Sequence, residues 1–161
     1  MIIRKSTEKD LPEIAEIYKN AKVFMRENGN PNQWKNDYPN ETDARQDIAN
    51  GIGYVCEIDG EVVGVFAFFI GVEPTYNTIY DGEWLNGLPY AYIHRIAVKY
   101  RGKGIVSYCF NWCYNLFNNL KIDTHEDNIP MQKALLRNGF SRCGTIYLEN
   151  GEKRVAFQKH A

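Results

Sequence analysis

One stretch limits what this chain can become. Residues 91–116, AYIHRIAVKYRGKGIVSYCFNWCYNL, pass from an apolar strand pattern through a basic, glycine-containing turn into an apolar-striped helix pattern. LKIDTH then reads as a second strand over about 120–124. A strand of about 90–98, a helix of about 104–119 and this strand make a parallel crossover. The flanking segments are antiparallel in character. IGYVCEI and EVVGVFAFFI flank Asp59-Gly60, a tight-hairpin pair, and RCGTIYLENGEKRVAFQK turns at Asn150-Gly151. A chain with one parallel crossover between hairpins cannot build a fully parallel sheet.

The remaining elements fit that frame. Ile2–Ser6 reads as a short strand, and Thr7-Glu-Lys-Asp10 as a helix start with a hydroxyl and first-turn acids. Leu11, Ile14, Ile17 and Tyr18 follow on one helical face, and a second helical stretch covers about 21–27. Residues 28–40 are loop by composition, and 41–50 read as a helix stopped by Gly51. Residues 71–89 are a long connection, and long connections are often functional. EDNIP opens a last helix that ends at Gly139. The order β-α-α-β-β-β-α-β-α-β-β predicts an α/β fold. Its sheet is mixed and mostly antiparallel, with helices on both faces, in a single domain over residues 1–161.

The 161 residues carry a formal net charge of −1, which argues against a nucleic-acid binder steered by bulk charge. Any basic site must therefore be local. No apolar run approaches the ~20 residues of a membrane span, and MIIRKSTEKD lacks the apolar core of a signal peptide. The expectation is a cytoplasmic protein with no membrane partner. Cys56, Cys109, Cys113 and Cys143 form no CxxC. Cys109 and Cys113, one helical turn apart, read as buried small apolar residues.

The basic turn carries the chemistry. Free N–H groups and the helix dipole at a helix N-terminus favour an anion. Gly102 and Gly104 permit the turn, while Arg101 and Lys103 repel one another and the dipole until an anion arrives. The P-loop string GxxxxGK[ST] is absent. A dinucleotide fingerprint is half present in Gly102, Gly104 and Ser107, with Asp123 about 20 residues on. It lacks the third glycine and the repeated βα units.

The third option is the pyrophosphate of coenzyme A. HRIAVKYRGKGIVSYCFNWC resembles the acyl-CoA-binding segment of the GNAT superfamily of N-acetyltransferases, with its [QR]-x-x-G-x-[GA] pattern after an aliphatic-Ala-Val run. Arg101, Gly104 and Ile96-Ala97-Val98 match, whereas Val106 stands where the pattern wants Gly or Ala. DTHEDNIPMQKALLRNGF is similar to the family's next strand, Asn-led helix and closing Gly-Phe. The element order also matches, so the resemblance covers nearly the whole chain.

The resemblance implies a GNAT-like fold with one splayed parallel strand pair. It implies transfer of an acetyl group from acetyl-CoA, without a metal, to a primary amine of a small molecule or peptide through a tetrahedral intermediate. The backbone of Ile96, Ala97 and Val98 would hold the pantetheine, with an amide near Ile96 as oxyanion donor. Arg101, Gly102, Lys103, Gly104, Ile105, Val106 and Ser107 would hold the pyrophosphate, and Asn128 the cofactor arm or simply the helix cap. Period-two alternation puts Tyr92, His94, Ile96 and Val98 on one face, and the family often carries a Glu at the place of Tyr92 or His94. His94 is thus the candidate base, and Tyr92 either orients substrate or packs.

The family's usual Tyr acid falls at Leu135, so Tyr108 and Tyr147 are the substitutes to consider. The acceptor pocket would draw on Trp34, Tyr38 and Trp84, with Phe24, Tyr76, Asp81 and Glu83 nearby. Asp123, His125 and Asp127 admit a metal reading, but strand alternation points neighbours apart, and a polar loop is preferred. A homodimer stays open. So do a non-catalytic acyl-CoA-binding module and, more remotely, a dinucleotide-binding oxidoreductase.

Overall fold

A computed structural model describes residues 1–161. The elements are β1 (Ile2–Lys5), α1 (Leu11–Glu27), α2 (Glu41–Ala49), β2 (Gly53–Ile58), β3 (Glu61–Ile70), β4 (Ala91–Val98), α3 (Ile105–Leu116), β5 (Asn119–Thr124), α4 (Ile129–Arg137), β6 (Ser141–Tyr147) and β7 (Lys153–His160). The sheet order is β1-β2-β3-β4-β5-β7-β6. All pairings are antiparallel except β4 with β5. The expected mixed sheet with one parallel pair is what forms.

Two helical stretches were expected before residue 28, and one continuous helix is found. Glu8–Asp10 forms a 3-10 turn in which the Thr7 N–H donates to Asp10 at 2.8 Å, and α1 then runs to Glu27. Nothing between Tyr18 and Ala21 breaks it: Lys19 is a good helix former and Asn20 a tolerated one. At the other end of the crossover, α3 stops at Leu116, earlier than expected, because Phe117 turns extended at φ −151° and Asn119 already belongs to β5.

Alternation sorts the side chains between two faces. Ala91 and Ile93 of β4, Leu120 and Ile122 of β5, and Val155 and Phe157 of β7 pack under α3 and α4 in the main core. Cys109 and Cys113 are buried there too. On the opposite face, α1 and α2 cover Val55, Val62, Val65 and Ala97. The rest of that face lies under the 71–90 connection, around Tyr76, Tyr92, Ile146 and Ala156. Burying a residue such as Ile14 or Phe66 contributes roughly 1.5–3 kcal/mol, which is why the faces hold their register.

The alternation of β4 fails at one point, and this corrects the expected common face of Tyr92, His94, Ile96 and Val98. Ala67 pairs with His94 and Val65 with Ala97, so Arg95 and Ile96 together oppose Phe66. Arg95 takes φ +54°, a left-handed bulge. Tyr92 stays in the cluster under the connection, whereas Ile96 and Val98 turn to the main core. Nothing local announces the bulge; Arg95 is held in it by Asp47 of α2.

Candidate active site

The parallel ladder between β4 and β5 consists of Ala91 opposite Leu120 and Tyr92 opposite Lys121, after which the strands diverge. The β5-facing edge of β4 from Ile93 to Val98 is left without a ladder partner. Two cavities occupy the opening, of about 440 and 280 Å³. They meet at Met25, Ile96, Asn128 and Met131, which line both.

The smaller cavity ends at the basic turn. Gly102 and Gly104 both take φ +72°, which an L side chain would strain. The first α3 hydrogen bond runs from the Tyr108 N–H to the Gly104 carbonyl, and no side chain caps the helix. The N–H groups of residues 102–107 therefore have no acceptor within the chain. Such a run of free donors at a dipole's positive end fits a phosphate. The Arg101 guanidinium lies 3.1 Å over the Phe24 ring, and burial lowers its pKa.

The larger cavity holds His94 from β4 and Asp123 from β5. His94 Nε2 stands 3.8 Å from Glu73 Oε2, an ion-pair distance longer than a hydrogen bond. Glu73 comes from the connection after β3, where the Thr75 hydroxyl donates to its Oε1 at 2.7 Å and its own N–H donates to the Tyr90 hydroxyl at 2.9 Å. The His94 ring does most to hold the Glu73 carboxyl down, at about 2; burial opposes this and Thr75 assists. On the other strand, the buried Tyr76 hydroxyl donates to Asp123 Oδ2 at 2.6 Å. Burial first, then Asp123, pushes the Tyr76 hydroxyl up, so it remains a donor. Gln33 ties the site together, donating to Thr124 Oγ1 at 3.3 Å and accepting from Asn128 Nδ2 at 2.9 Å.

The model of the acetyltransferase (GNAT) family matches residues 12–140. The chain belongs to the GNAT acetyltransferase family. A GNAT-family acetyltransferase from Streptococcus agalactiae superposes with TM-score 0.91 at 31% identity, over 99% of this chain and 95% of that one. At 18% identity, where only the fold is shared, a GNAT-family acetyltransferase from Listeria monocytogenes gives TM-score 0.71 over 99% and 94%. Also at 18% identity, Arabidopsis thaliana Naa50, in complex with the bisubstrate analogue CoA-Ac-MVNAL, gives 0.63 over 99% and 98%. No curated protein matches the chain.

In this GNAT chain the residues named from sequence fall unevenly. Of the residues expected to hold CoA, Ile96 to Val98, Arg101, Gly102 and residues 104–107 line the smaller cavity; Lys103 does not. Val106 packs its branched side chain against the edge of the main core. Asn128 is both helix cap, accepting from the Met131 N–H at 3.1 Å, and a wall of each cavity. Trp34 and Tyr38 line the larger cavity. Trp84 lines neither: its Nε1–H donates to the Tyr76 carbonyl at 2.8 Å and its ring packs on Tyr76.

Tyr92 also lines neither cavity, and stacks on Phe69 with centroids 4.5 Å apart. Phe24 belongs to the smaller cavity, while Asp81 and Glu83 are exposed and outside both. Leu135 is wholly buried in the core. The substitute acids lie elsewhere: Tyr108 donates to the Met1 carbonyl at 2.8 Å, and Tyr147 packs on Tyr80. His125 Nδ1 accepts from the Asp127 N–H at 3.0 Å, a local turn contact.

Sequence reasoning missed Glu73, Gln33 and the contact of Tyr76 with Asp123. For Glu73 and Tyr76 the available signal was that residues 71–89 form a long connection; Gln33 lies in the 28–40 loop, which carried none.

The Glu73 shift has a measurable consequence. Its folded-state value lies below the ordinary 4.5, so the ionised form stabilises the fold. That contribution is complete above about pH 5 and is lost as pH falls toward about 2. Melting curves of the wild type and Glu73→Gln should differ most above pH 5 and converge in acid; a gap that does not change with pH would contradict the pairing.

Proposed function

We propose that this GNAT protein transfers the acetyl group of acetyl-CoA to a primary amine, with His94 as the base. The observation that carries the reading is the meeting of two unlike cavities at the strand splay. One ends in unpaired N–H groups beside Arg101, and the other holds a histidine backed by a carboxylate. Acetyl-CoA supplies the activated thioester when bound. The chain's residues do the rest. The N–H groups of 102–107 receive the pyrophosphate, and the open edge of β4 from Ile96 to Val98 lies along the pantetheine arm. An N–H near the bulge would serve as donor to the thioester carbonyl, and one such donor is typically worth 10²–10³ in rate.

Glu73 faces Nε2 of His94 at 3.8 Å, too far for a hydrogen bond, so it acts as a nearby negative charge and leaves Nδ1 to take the ammonium proton. Asp123 attracts the ammonium. A thiol ionises near pH 8.5, so the leaving sulfur departs as thiolate without help at the buried Leu135. A cytoplasmic location belongs to the same proposal: the four cysteines are free and buried, as a reducing compartment allows. No helix is long and apolar enough to cross a membrane.

Thermal melts with CoA, acetyl-CoA and NAD, followed by thiol release over a panel of amines, test this. CoA and acetyl-CoA should raise the melting temperature and NAD should not. Arg101→Ala should weaken CoA about tenfold and flatten the salt dependence of binding, since it removes one charge-assisted contact. Absence of stabilisation at saturating CoA would end the reading. CoA binding without turnover of any amine would make the protein a binding module instead.

A further inference from the structure

Besides Tyr38, the larger cavity is lined by six acidic or basic side chains: Lys35, His94, Arg95, Arg154, Asp123 and Glu152. Arg95 is neutralised by Asp47 at 2.7 Å, Lys35 by Glu152 at 3.1 Å, and His94 stands against Glu73. Pairing these leaves one anion, Asp123, and one cation, Arg154. Neither makes a salt bridge within the protein. Asp123 has only the Tyr76 hydroxyl.

Arg154 is the more unusual of the two. It is 5% exposed, and a buried charge is normally paired. Its Nη1 donates to the Lys153 carbonyl at 2.9 Å and its Nη2 to the Gln33 carbonyl at 3.1 Å. Of the five N–H groups of a guanidinium, three are left without a partner. Glu152 is the nearest acid along the chain and feels the charge of Arg154, but it makes no salt bridge with it, its oxygens being engaged by Lys35 and by Asn150 Nδ2 at 2.7 Å.

The two unpaired charges are neighbours on one face of the sheet. Asp123 sits opposite Ala156, and Arg154 lies two residues along β7 from Ala156, roughly 7 Å on the same face. The guanidinium bonds the backbone of Gln33, whose side chain reaches Thr124, the residue after Asp123. A carboxylate on one side and a fork of free N–H groups on the other form the complement of a zwitterion.

We propose that the acceptor is a free amino acid, or a similarly short molecule carrying both amine and carboxylate, with its ammonium at Asp123 and its carboxylate on Arg154. The inference rests on the acetyltransferase reading and narrows it. A fork-on-carboxylate contact is the geometry arginine serves best. It also gives discrimination, because an acceptor lacking the carboxylate leaves Arg154 buried and unpaired. Amines without an acid and peptide N-termini fall in that class, since a peptide's carboxylate lies farther from its amine.

The test compares common L-amino acids with their carboxamides and with dipeptide amides, on the full chain with acetyl-CoA, by thiol release. The acids should be preferred by about 10–100-fold in kcat/KM. Arg154→Gln should bring acid and amide to within a few-fold, and Arg154→Lys should keep part of the preference. Calorimetry with N-acetyl amino acids and their amides, in the presence of CoA, reads the same selectivity without turnover.

Acid-selective binding that Arg154→Gln abolishes supports the inference even if no amine is acetylated, an outcome that would instead count against the acetyltransferase reading. Equal handling of acids and amides by the wild type, or binding of neither, overturns it without recourse to any variant. So does loss in Arg154→Gln that is equal for both ligand classes.

Discussion

His94→Ala lowers kcat/KM for amine acetylation by about 10²–10⁴, the range for losing a general base, while CoA affinity stays at the wild-type level. The two readouts separate because His94 lines the larger cavity and not the smaller one that ends at the basic turn, where we propose the pyrophosphate binds. His94 packs edge-on against Phe69, Tyr76 and Tyr92, at 5.1–6.3 Å between centroids. A purely structural histidine in this cluster would cost stability when truncated and would leave the shape of the pH profile unchanged. A base gives a different signature. The wild-type and variant profiles differ in shape, because the variant's rate follows deprotonation of the acceptor amine alone. Parallel profiles differing only in height, or a loss below tenfold, would remove His94 from the chemistry.

Asp47→Ala should be the most destabilising single substitution near the site. Arg95 donates to Asp47 through Nε at 2.9 Å and Nη2 at 2.7 Å, and through Nη1 to the Tyr38 hydroxyl at 3.1 Å. The side chains are 15% and 8% exposed. Removing one partner of such a pair leaves a buried charge uncompensated and typically costs 3–5 kcal/mol. For a chain of this size that is a fall of roughly 6–20 °C in melting temperature.

The damage also extends to the site. Arg95 occupies the left-handed region at φ +54°, which costs about 1–2 kcal/mol without a compensating contact. Freed of Asp47, β4 can relax toward regular alternation and carry Ile96 off its present face. Turnover should therefore fall in the variant even well below its melting temperature. The double variant Asp47→Ala, Arg95→Ala should recover part of the stability, since it removes the orphaned charge. A cost of Asp47→Ala below about 1 kcal/mol would show that the pair is solvated and does not hold the bulge.

Much of this molecule was legible before its fold was known, wherever the information was local. Asp59-Gly60 and Asn150-Gly151 specify hairpins because few other residue pairs tolerate those turns. Alternation and helical striping place the crossover. Gly102 and Gly104 with Arg101 mark an anion cradle within a few residues of chain. The limits were equally physical. Alternation assumes an unbroken pleat, and the Arg95 bulge breaks it. Trp84 carried the composition of a pocket residue but found its partner in the Tyr76 carbonyl. Glu73 lies 21 residues before His94 in the numbering, on a connection with no periodicity to orient it.

The sequence alone determined the mixed sheet, the single parallel crossover and the basic, glycine-containing turn at the start of α3, because each follows from dihedral preference and periodicity over short stretches. Only the tertiary structure decided which groups share the larger cavity. Glu73 against His94, Asp123 under Tyr76 and Arg154 left without a salt bridge all depend on strands and loops distant in the chain. Their juxtaposition is set by the order in which β5, β7 and β6 pair and by where β4 parts from β5, and no local preference encodes either.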